Sequence, residues 1–427
     1  MLKAKNRLGI VFFPAFDWAI SSTHPEREER LLYTQDQLWE EGVFDIPGIV
    51  EYPPALAAHQ DVARAHLCVP DLASRVTESH LIAAGAAINL GEAWARREID
   101  KAFAIIRPPG HHAMRIVHGS RGFCTINNEA ILAEYLRTKY NIKRIAIIDT
   151  DCHHGDGTQD IYWHDPDTLF ISLHQDGRTL YPGSGFPHEM GGPNAYGYTL
   201  NVPLPPGTSD AGFHFVIDNL VLPVLADFKP DLIINSAGQD NHYSDPLTNM
   251  KFSAQGYARL TEMLQPDIAV LEGGYSIEGA LPYVNLGILL ALAGVNYSHV
   301  KEPDFLPRQW HQSPDITGYI EKLCRGLWDR WQYREELRRE AIKDKDFLSR
   351  SRHIYYDTDG ISEDQEEKAR ICDRCPGWTE LHSSSDWGGK AIGVLVHRRA
   401  CPGCREEALA AYNVLQKKGS LPFLQEI

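Results

Sequence analysis

The most chemically loaded stretch of the chain is DTDCHHGDGTQ, residues 149–159, which sets three aspartates and two histidines directly after the apolar run IAII. If the strand begun by that run continues to residue 153, Asp149, Asp151 and His153 stand at alternate positions and share one side. Carboxylates held so close raise each other's pKa unless a cation or hydrogen-bond donors neutralise them, and a bound metal resolves that conflict. The competing reading is a solvated loop with helix-capping aspartates. Asp240, in SAGQDNHYSDP, also follows an apolar run and completes a candidate set of two carboxylates and one histidine. Such a mixed set with an open position suits catalytic Zn²⁺, with Fe²⁺ as the rival ion. A metal there lowers the pKa of water toward about 7, and the chemistry then wants a nearby base and a donor for the developing oxyanion. The adjacent His111 and His112 of RPPGHHA are candidates for the base, and Tyr275 of LEGGYS offers a hydroxyl. Isolated histidines such as His59, His66 and His188 are read as structural.

Positioning these groups requires a scaffold. The runs FAII (103–106), IAII (145–148), LFISL (169–173), LIIN (232–235) and IAVL (268–271) lack polar alternation and are separated by helix-length segments, among them 127–139 and 211–227. That pattern predicts buried parallel strands with crossover helices, an α/β fold with a mainly parallel central sheet. Each run is followed at once by RPPGHHA, DTDCHHGDG, HQDG, SAGQD or EGGYS. In open parallel sheets ligands bind beyond the carboxyl ends of the strands, so the reactive residues converge there.

The chain has 427 residues, enough for one large α/β domain and something smaller. Its net charge of −15 argues against nucleic acid and favours cationic small molecules or basic peptides. No run approaches 18 apolar residues and the N-terminal stretch lacks an apolar signal core, so a soluble cytoplasmic protein without a membrane partner is expected. Past residue 300 the composition changes. KEPDFLPRQWHQSPD reads as a proline-rich connector, 318–345 as a charged helical stretch, and the acidic 357–370 as a mobile linker. The domain reading is therefore a catalytic domain at 1–310, a helical connector at 311–356, and an acidic linker with a small cysteine module at 357–427. In that module Cys372, Cys375, Cys401 and Cys404 form two CxxC pairs, with AIGVLVH as a strand in the spacer, the pattern of a structural zinc ribbon with four cysteine ligands. Nothing in the sequence names a partner for the ribbon, and the oligomeric state is open.

The segments HPER (24–27), RPPGHHA (107–113), GFCTINNEA (122–130), DTDCHHGDGTQ (149–159), SLH (172–174), YPGSG (181–185), NVPLPPG (201–207), AGQDNHYSDPL (237–247) and LEGGYS (271–276) occur in one order. With them the chain resembles the zinc-dependent histone deacetylase family, which includes acetylpolyamine amidohydrolases and has a three-layer αβα arginase/deacetylase fold; it looks closest to the class II branch. The resemblance assigns the catalytic zinc to Asp151, His153 and Asp240. It places Asp149 behind His111 and, with Ser172, at a monovalent cation, usually potassium, and it has Asp156 orient His112. It implies that Tyr275 and zinc polarise the acyl carbonyl, that a histidine of the 111/112 pair takes a proton from the attacking water, and that His112, once protonated, donates to the leaving amine. Gly122, Phe123 and Tyr181 match positions lining the acyl tunnel. Leu247 stands where the polyamine-selective branch carries a glutamate. Gln239 and Thr125 also depart from the usual residues without removing a reacting group.

The expected activity is therefore removal of an acetyl or other short acyl group from acetyl-lysine-like substrates, with acetylpolyamine deacetylation as the alternative. Outside that class stands an acetyl-ligand-binding or zinc-ribbon interaction protein with a vestigial enzyme domain. A dimanganese ureohydrolase of the related arginase fold needs an acid two residues after Asp240, where this chain has His242.

Overall fold

A computed structural model describes residues 3–306, 310–418 and 421–427; residues 307–309 of the proline-rich connector lie outside the described residues. In chain order the strands are β1 (Leu8–Phe13), β2 (Ile49–Glu51), β3 (Leu67–Cys68), β4 (Lys101–Ile106), β5 (Ile116–Val117), β6 (Ile145–Asp149), β7 (Thr168–Gln175), β8 (Thr199–Leu204), β9 (Leu232–Ser236), β10 (Ile268–Val270), β11 (Phe347–Tyr356), β12 (Ile361–Arg370), β13 (Trp378–Ser385), β14 (Lys390–Val396) and β15 (Phe423–Glu426). Eight of them form one sheet in the order β2-β1-β4-β10-β9-β6-β7-β8, with every neighbouring pair parallel. All five apolar runs lie on strands of this sheet, and β1, β2 and β8 complete it.

The runs lack alternation because both faces are covered. Phe103, Ile105 and Ile148 enter one apolar core with the helices Ala254–Leu264 and Leu281–Ala293. Ala102, Ala104, Ile145 and Ile147 enter a second core with the helices Glu78–Ala95 and Asn128–Tyr140. Helix, sheet and helix thus make the three layers expected. Asn127 caps the last of these helices, its side chain accepting from the Ala130 N–H at 2.7 Å. The segment 211–227 forms a continuous helical stretch, Asp210–Phe228, with a π turn at Ile217–Val221. It is long and apolar enough to cross a membrane by composition, but Phe213, Val216, Leu220, Val224 and Phe228 are buried in the first core.

The C-terminal third departs from its expected division. The helices Pro314–Gln332 and Arg334–Ile342 are present, but the first is no connector: Ile320, Cys324, Leu327 and Trp331 are buried in the catalytic core, and the Trp331 indole donates to Asp227 at 2.9 Å. Residues 347–356 are strand β11 rather than helix. The acidic segment expected to be a mobile linker contains β12, the second strand of a five-stranded sheet β11-β12-β13-β14-β15. Along β12 alternate residues Glu363, Gln365 and Glu367 are buried while Asp364 and Glu366 are exposed. The buried acids have partners. Arg352 pairs with Glu367 at 3.1 Å and also with Asp160 of the catalytic domain, and His164 lies 3.1 Å from Glu367. Asp165 meets His397 at 3.0 Å and Arg398 at 2.8 Å. The cysteine module is thus more than a ribbon: it is this sheet plus the helix Pro402–Lys417, which packs on Trp378, Val394 and Val396. AIGVLVH supplies β14, as expected.

Candidate active site

The reactive residues follow β4, β10, β9 and β6, four adjacent strands, so they meet along one edge of the sheet. Asp151, His153 and Asp240 each bring one ligand atom within 4.8 Å of the others. His153 Nδ1 lies 3.1 Å from Asp151 Oδ1 and 2.8 Å from Asp240 Oδ2. Backbone donors hold the carboxylates: the Gly273 N–H reaches Asp151 at 2.7 Å and the Cys152 N–H reaches Asp240 at 2.7 Å. The backbone comes this close because two residues lack side chains. A Cβ on Gly238 would fall 2.0 Å from Asp151 Oδ2, and one on Gly273 would fall 2.4 Å from Asp240 Oδ2.

Electrostatics show what the trio demands. Burial, then the charge of Asp151, lifts the Asp240 carboxyl above its usual range. Burial also opposes charge on Asp151, but His111 and His153 outweigh it and hold that carboxyl low. Burial opposes charge on His153 too, but Asp240 and Asp151 outweigh it and push it up to about 10, the mark of a site whose field favours a positive charge. Two buried carboxylates and one imidazole converging on a cation position fit Zn²⁺.

Beside the trio stands the histidine pair, with ring centroids 4.1 Å apart. His111 Nδ1 is 3.1 Å from Asp149 Oδ2, and His112 Nδ1 is 2.7 Å from Asp156 Oδ1. The two rings are driven apart in charge. His111 is opposed by burial, yet the Asp151 and Asp149 carboxylates raise it well above the ordinary histidine range. His112, buried and next to charged His111, is pushed down to about 3 and is neutral near pH 7. Asp156 is held by Arg121, whose Nη2 donates at 2.7 Å. Asp149 also accepts from the Asp151 N–H at 3.0 Å and sits in register with Ser172 on the neighbouring strand, whose hydroxyl meets His174 at 2.8 Å.

Above these groups opens a cavity of about 230 Å³ lined by His111, His112, His153, Gly122, Phe123, Tyr181, Leu180, Leu247, Tyr275 and Asp357. Phe123 meets Tyr275 edge to face at 5.6 Å, and Tyr181 meets His112 at 5.2 Å. Gly122 has φ +50°, and a Cβ there would fall 2.4 Å from the His112 ring. Burial raises the Tyr275 hydroxyl well above its ordinary value, so it remains a donor. The expected zinc, histidine and tunnel residues are thus gathered around one cavity. Cys372, Cys375, Cys401 and Cys404 form a separate group in the C-terminal module, with their sulfurs within 4.8 Å of one another. Tetrahedral zinc with bonds of about 2.3 Å to sulfur fits that spacing.

Several supporting residues were not singled out from the sequence. Glu272 accepts from the backbone N–H of Gly110 at 2.6 Å and of His111 at 3.0 Å, fixing the histidine loop. Arg30 donates to the Gly274 carbonyl at 2.8 Å and pairs with Glu26 at 2.8 Å, while Arg107 takes the other Glu26 oxygen at 2.7 Å. Asp245 accepts from the Tyr275 N–H at 2.8 Å. Glu26 lies in HPER and Glu272 in LEGGYS, so their segments were visible even though their partners were not.

Residues 71–285 match the family model described as "Histone deacetylase domain". A probable deacetylase of Archaeoglobus fulgidus is 46% identical over 328 residues, spanning 70% of this chain and 90% of that protein. An acetylpolyamine amidohydrolase of Burkholderia pseudomallei is 40% identical over 182 residues, 42% of this chain and 52% of that protein. The crystal structure of the HDA15 HD domain superposes with a TM-score of 0.66 at 25% identity, covering 80% of this chain and 99% of that one. With the reactive groups gathered at one sheet edge and these relatives alike in sequence and fold, the chain belongs to the histone deacetylase family and is an amide deacetylase.

Proposed function

We propose that the enzyme removes an acetyl or other short acyl group from acetyl-lysine-like substrates, releasing acetate and a free amine. The observation that carries this reading is the cavity lined by Phe123, Tyr181 and Leu247 that ends on His112, 2.7 Å from Asp156, on His111, 3.1 Å from Asp149, and on Tyr275. Zinc, on which this family depends, would be held by Asp151, His153 and Asp240 and when bound supplies the positive charge that polarises the acyl carbonyl and acidifies water. His112, with Nδ1 committed to Asp156, accepts the proton of the attacking water at Nε2 and returns it to the leaving amine. His111 is held by Asp149 at 3.1 Å beside the reacting groups, and the Tyr275 hydroxyl donates a hydrogen bond to the developing negative charge. Phe123 and Tyr181 enclose the extended alkyl chain.

Leu247 on the cavity wall supports acetyl-lysine-like substrates over polyamines, since it adds no charge. The Burkholderia relative and the acid at position 357 keep the acetylpolyamine reading in play. Beyond the reaction, we assign a structural zinc to the four module cysteines and a potassium ion to the neighbourhood of Asp149 and Ser172. A cytoplasmic location is supported by the thiols Cys68, Cys124, Cys152 and Cys324 and by the four module cysteines, which a reducing compartment keeps available to zinc. The test is acetate release from an acetyl-lysine peptide and from acetylputrescine, with metal analysis. Turnover of at least one substrate, lost in Tyr275→Phe, and two zinc ions per chain falling to one when the four module cysteines are replaced, are the expected results. A Tyr275→Phe variant as active as the parent sinks the mechanism.

A further inference from the structure

The turn between β11 and β12 reaches the catalytic cavity from a module more than 60 residues beyond the last motif of the catalytic site. Asp357, at its start, lines the cavity and accepts from the Gly122 N–H at 3.0 Å and from the Tyr181 hydroxyl at 2.8 Å. Both bonds go to Oδ1, which leaves Oδ2 for a ligand. The turn is seated firmly. Asp359 accepts from the Ser120 N–H at 2.6 Å, the Tyr355 carbonyl accepts from Arg121, and the Tyr356 hydroxyl donates to the Ile116 carbonyl at 2.7 Å. The carboxylate therefore stands in a fixed place beside Gly122 and Tyr181, two residues of the acyl-chain wall.

Asp357 is the sole carboxylate among the described residues lining that cavity, and no salt bridge engages it there. The nearby cation, Arg121, is committed to Asp156 through two nitrogens. Asp357 is exposed at the cavity mouth, and an acid with one unengaged oxygen there attracts a positive charge to the entrance while both can stay partly hydrated. Leu247, on the same cavity, offers no such charge. We propose that Asp357, delivered by the C-terminal module, is a specificity-determining residue that selects substrates carrying a cationic group beyond the alkyl chain of the acyl amide. This assignment rests on the deacetylase reading above and gives the cysteine module a direct part in the substrate site.

The charge and the positioning role separate in one variant. Asp357→Asn keeps an Oδ1 acceptor for Gly122 and Tyr181 while removing the negative charge. In the full-length zinc-loaded enzyme, kcat/KM is measured for acetylputrescine and for N-pentylacetamide, its uncharged counterpart of equal length. The expected result is a loss of about tenfold on acetylputrescine in Asp357→Asn, with N-pentylacetamide changed by less than about twofold. Acetyl-lysine peptides flanked by arginine or by glutamate form the second arm, where the parent's preference for arginine shrinks in the variant if the selected cation belongs to a peptide. Equal losses on charged and uncharged substrates, or no loss on any, overturn the assignment while leaving the deacetylase reading intact. A parent that turns over none of these substrates overturns both.

Discussion

Strands β6 and β12 are both buried along much of their length, yet they are buried by opposite chemistry. β6, IAIID, sinks five residues between two apolar cores, and its only polar side chain waits at the end, where the site begins. β12, ISEDQEEKAR, buries Glu363, Gln365 and Glu367 and exposes the acids between them. The first needs no particular partner, because an apolar side chain gains from leaving water wherever it goes. The second is buried only because Arg352, His164 and Tyr356 stand opposite. A buried strand is thus either self-sufficient or contingent on its partner, and only the first kind announces itself.

The largest effect belongs to the site at the end of β6. Tyr275→Phe is expected to lower kcat by about 10²–10³-fold with little change in thermal stability, since the lost group donates to the developing oxyanion. Steady-state kinetics with calorimetry checks this, and a parallel loss of stability would show that the hydroxyl is structural. Next, Glu367→Ala should destabilise the protein by about 3–5 kcal/mol because it takes a buried carboxylate from the half-buried Arg352 and from His164, whereas the paired Glu367→Met/Arg352→Met change should recover part of that loss, the remainder being the cost of leaving Asp160 without Arg352. Ile147→Ala in the second core should cost a comparable 2–5 kcal/mol, roughly, with no single partner able to rescue it. Denaturant unfolding distinguishes the two, and failure of the paired change to recover stability would put β12 in the same class as β6.

Acid sharpens the same contrast. Burial works against the charge on Glu367, but Arg352 and His164 hold its carboxyl far below its ordinary value of 4.5. A depressed carboxyl adds stability in full above that ordinary value and gives it up as pH falls below it. The module's contact with the catalytic domain should therefore loosen on acidification below about pH 4.5, read as faster hydrogen exchange along β12. The catalytic domain carries a different pH dependence at His66. Its Nδ1 faces the Met114 carbonyl at 2.8 Å and its Nε2 accepts from the Asn127 N–H at 2.8 Å, so only the neutral ring satisfies both. Burial pushes His66 down to about 4, and its contribution is present above about pH 6.5 and lost as pH falls toward 4. His66→Gln should flatten that part of the stability profile. The smallest effect is expected from Glu366→Ala, whose side chain faces solvent beside Glu367: within about 0.5 kcal/mol of the parent.

Much of the site was legible along the chain. Asp240 and Tyr275 each follow an apolar run and the two histidines sit in a loop closed by prolines and glycine; strand alternation grouped Asp151 with His153, but β6 ends at Asp149 and the two meet through a bend, the His153 N–H donating to Asp151 at 2.9 Å. The family pattern sets Asp149 apart from the ligands, and the structure has it 3.1 Å from His111 Nδ1. What escaped were groups whose meaning depends on a distant partner. Arg30 and Glu272 are 242 residues apart, and Asp357 lies 235 residues from Gly122. The acidic composition of 357–370 read as a solvated linker because period-two burial is visible only when the buried residues are apolar.

The sequence by itself determined the parallel core and the reactive edge. Uninterrupted Ile, Val, Leu and Phe runs can be stable only where both faces are dry, and polar residues directly after such runs must then lie at the strand ends. Tertiary structure alone decided which carboxylate each histidine of the pair faces, which acids are buried, and that the C-terminal module contributes Asp357 to the catalytic cavity. Charge and hydrogen bonding are properties of pairs, and a pair exists only once folding has brought its members together.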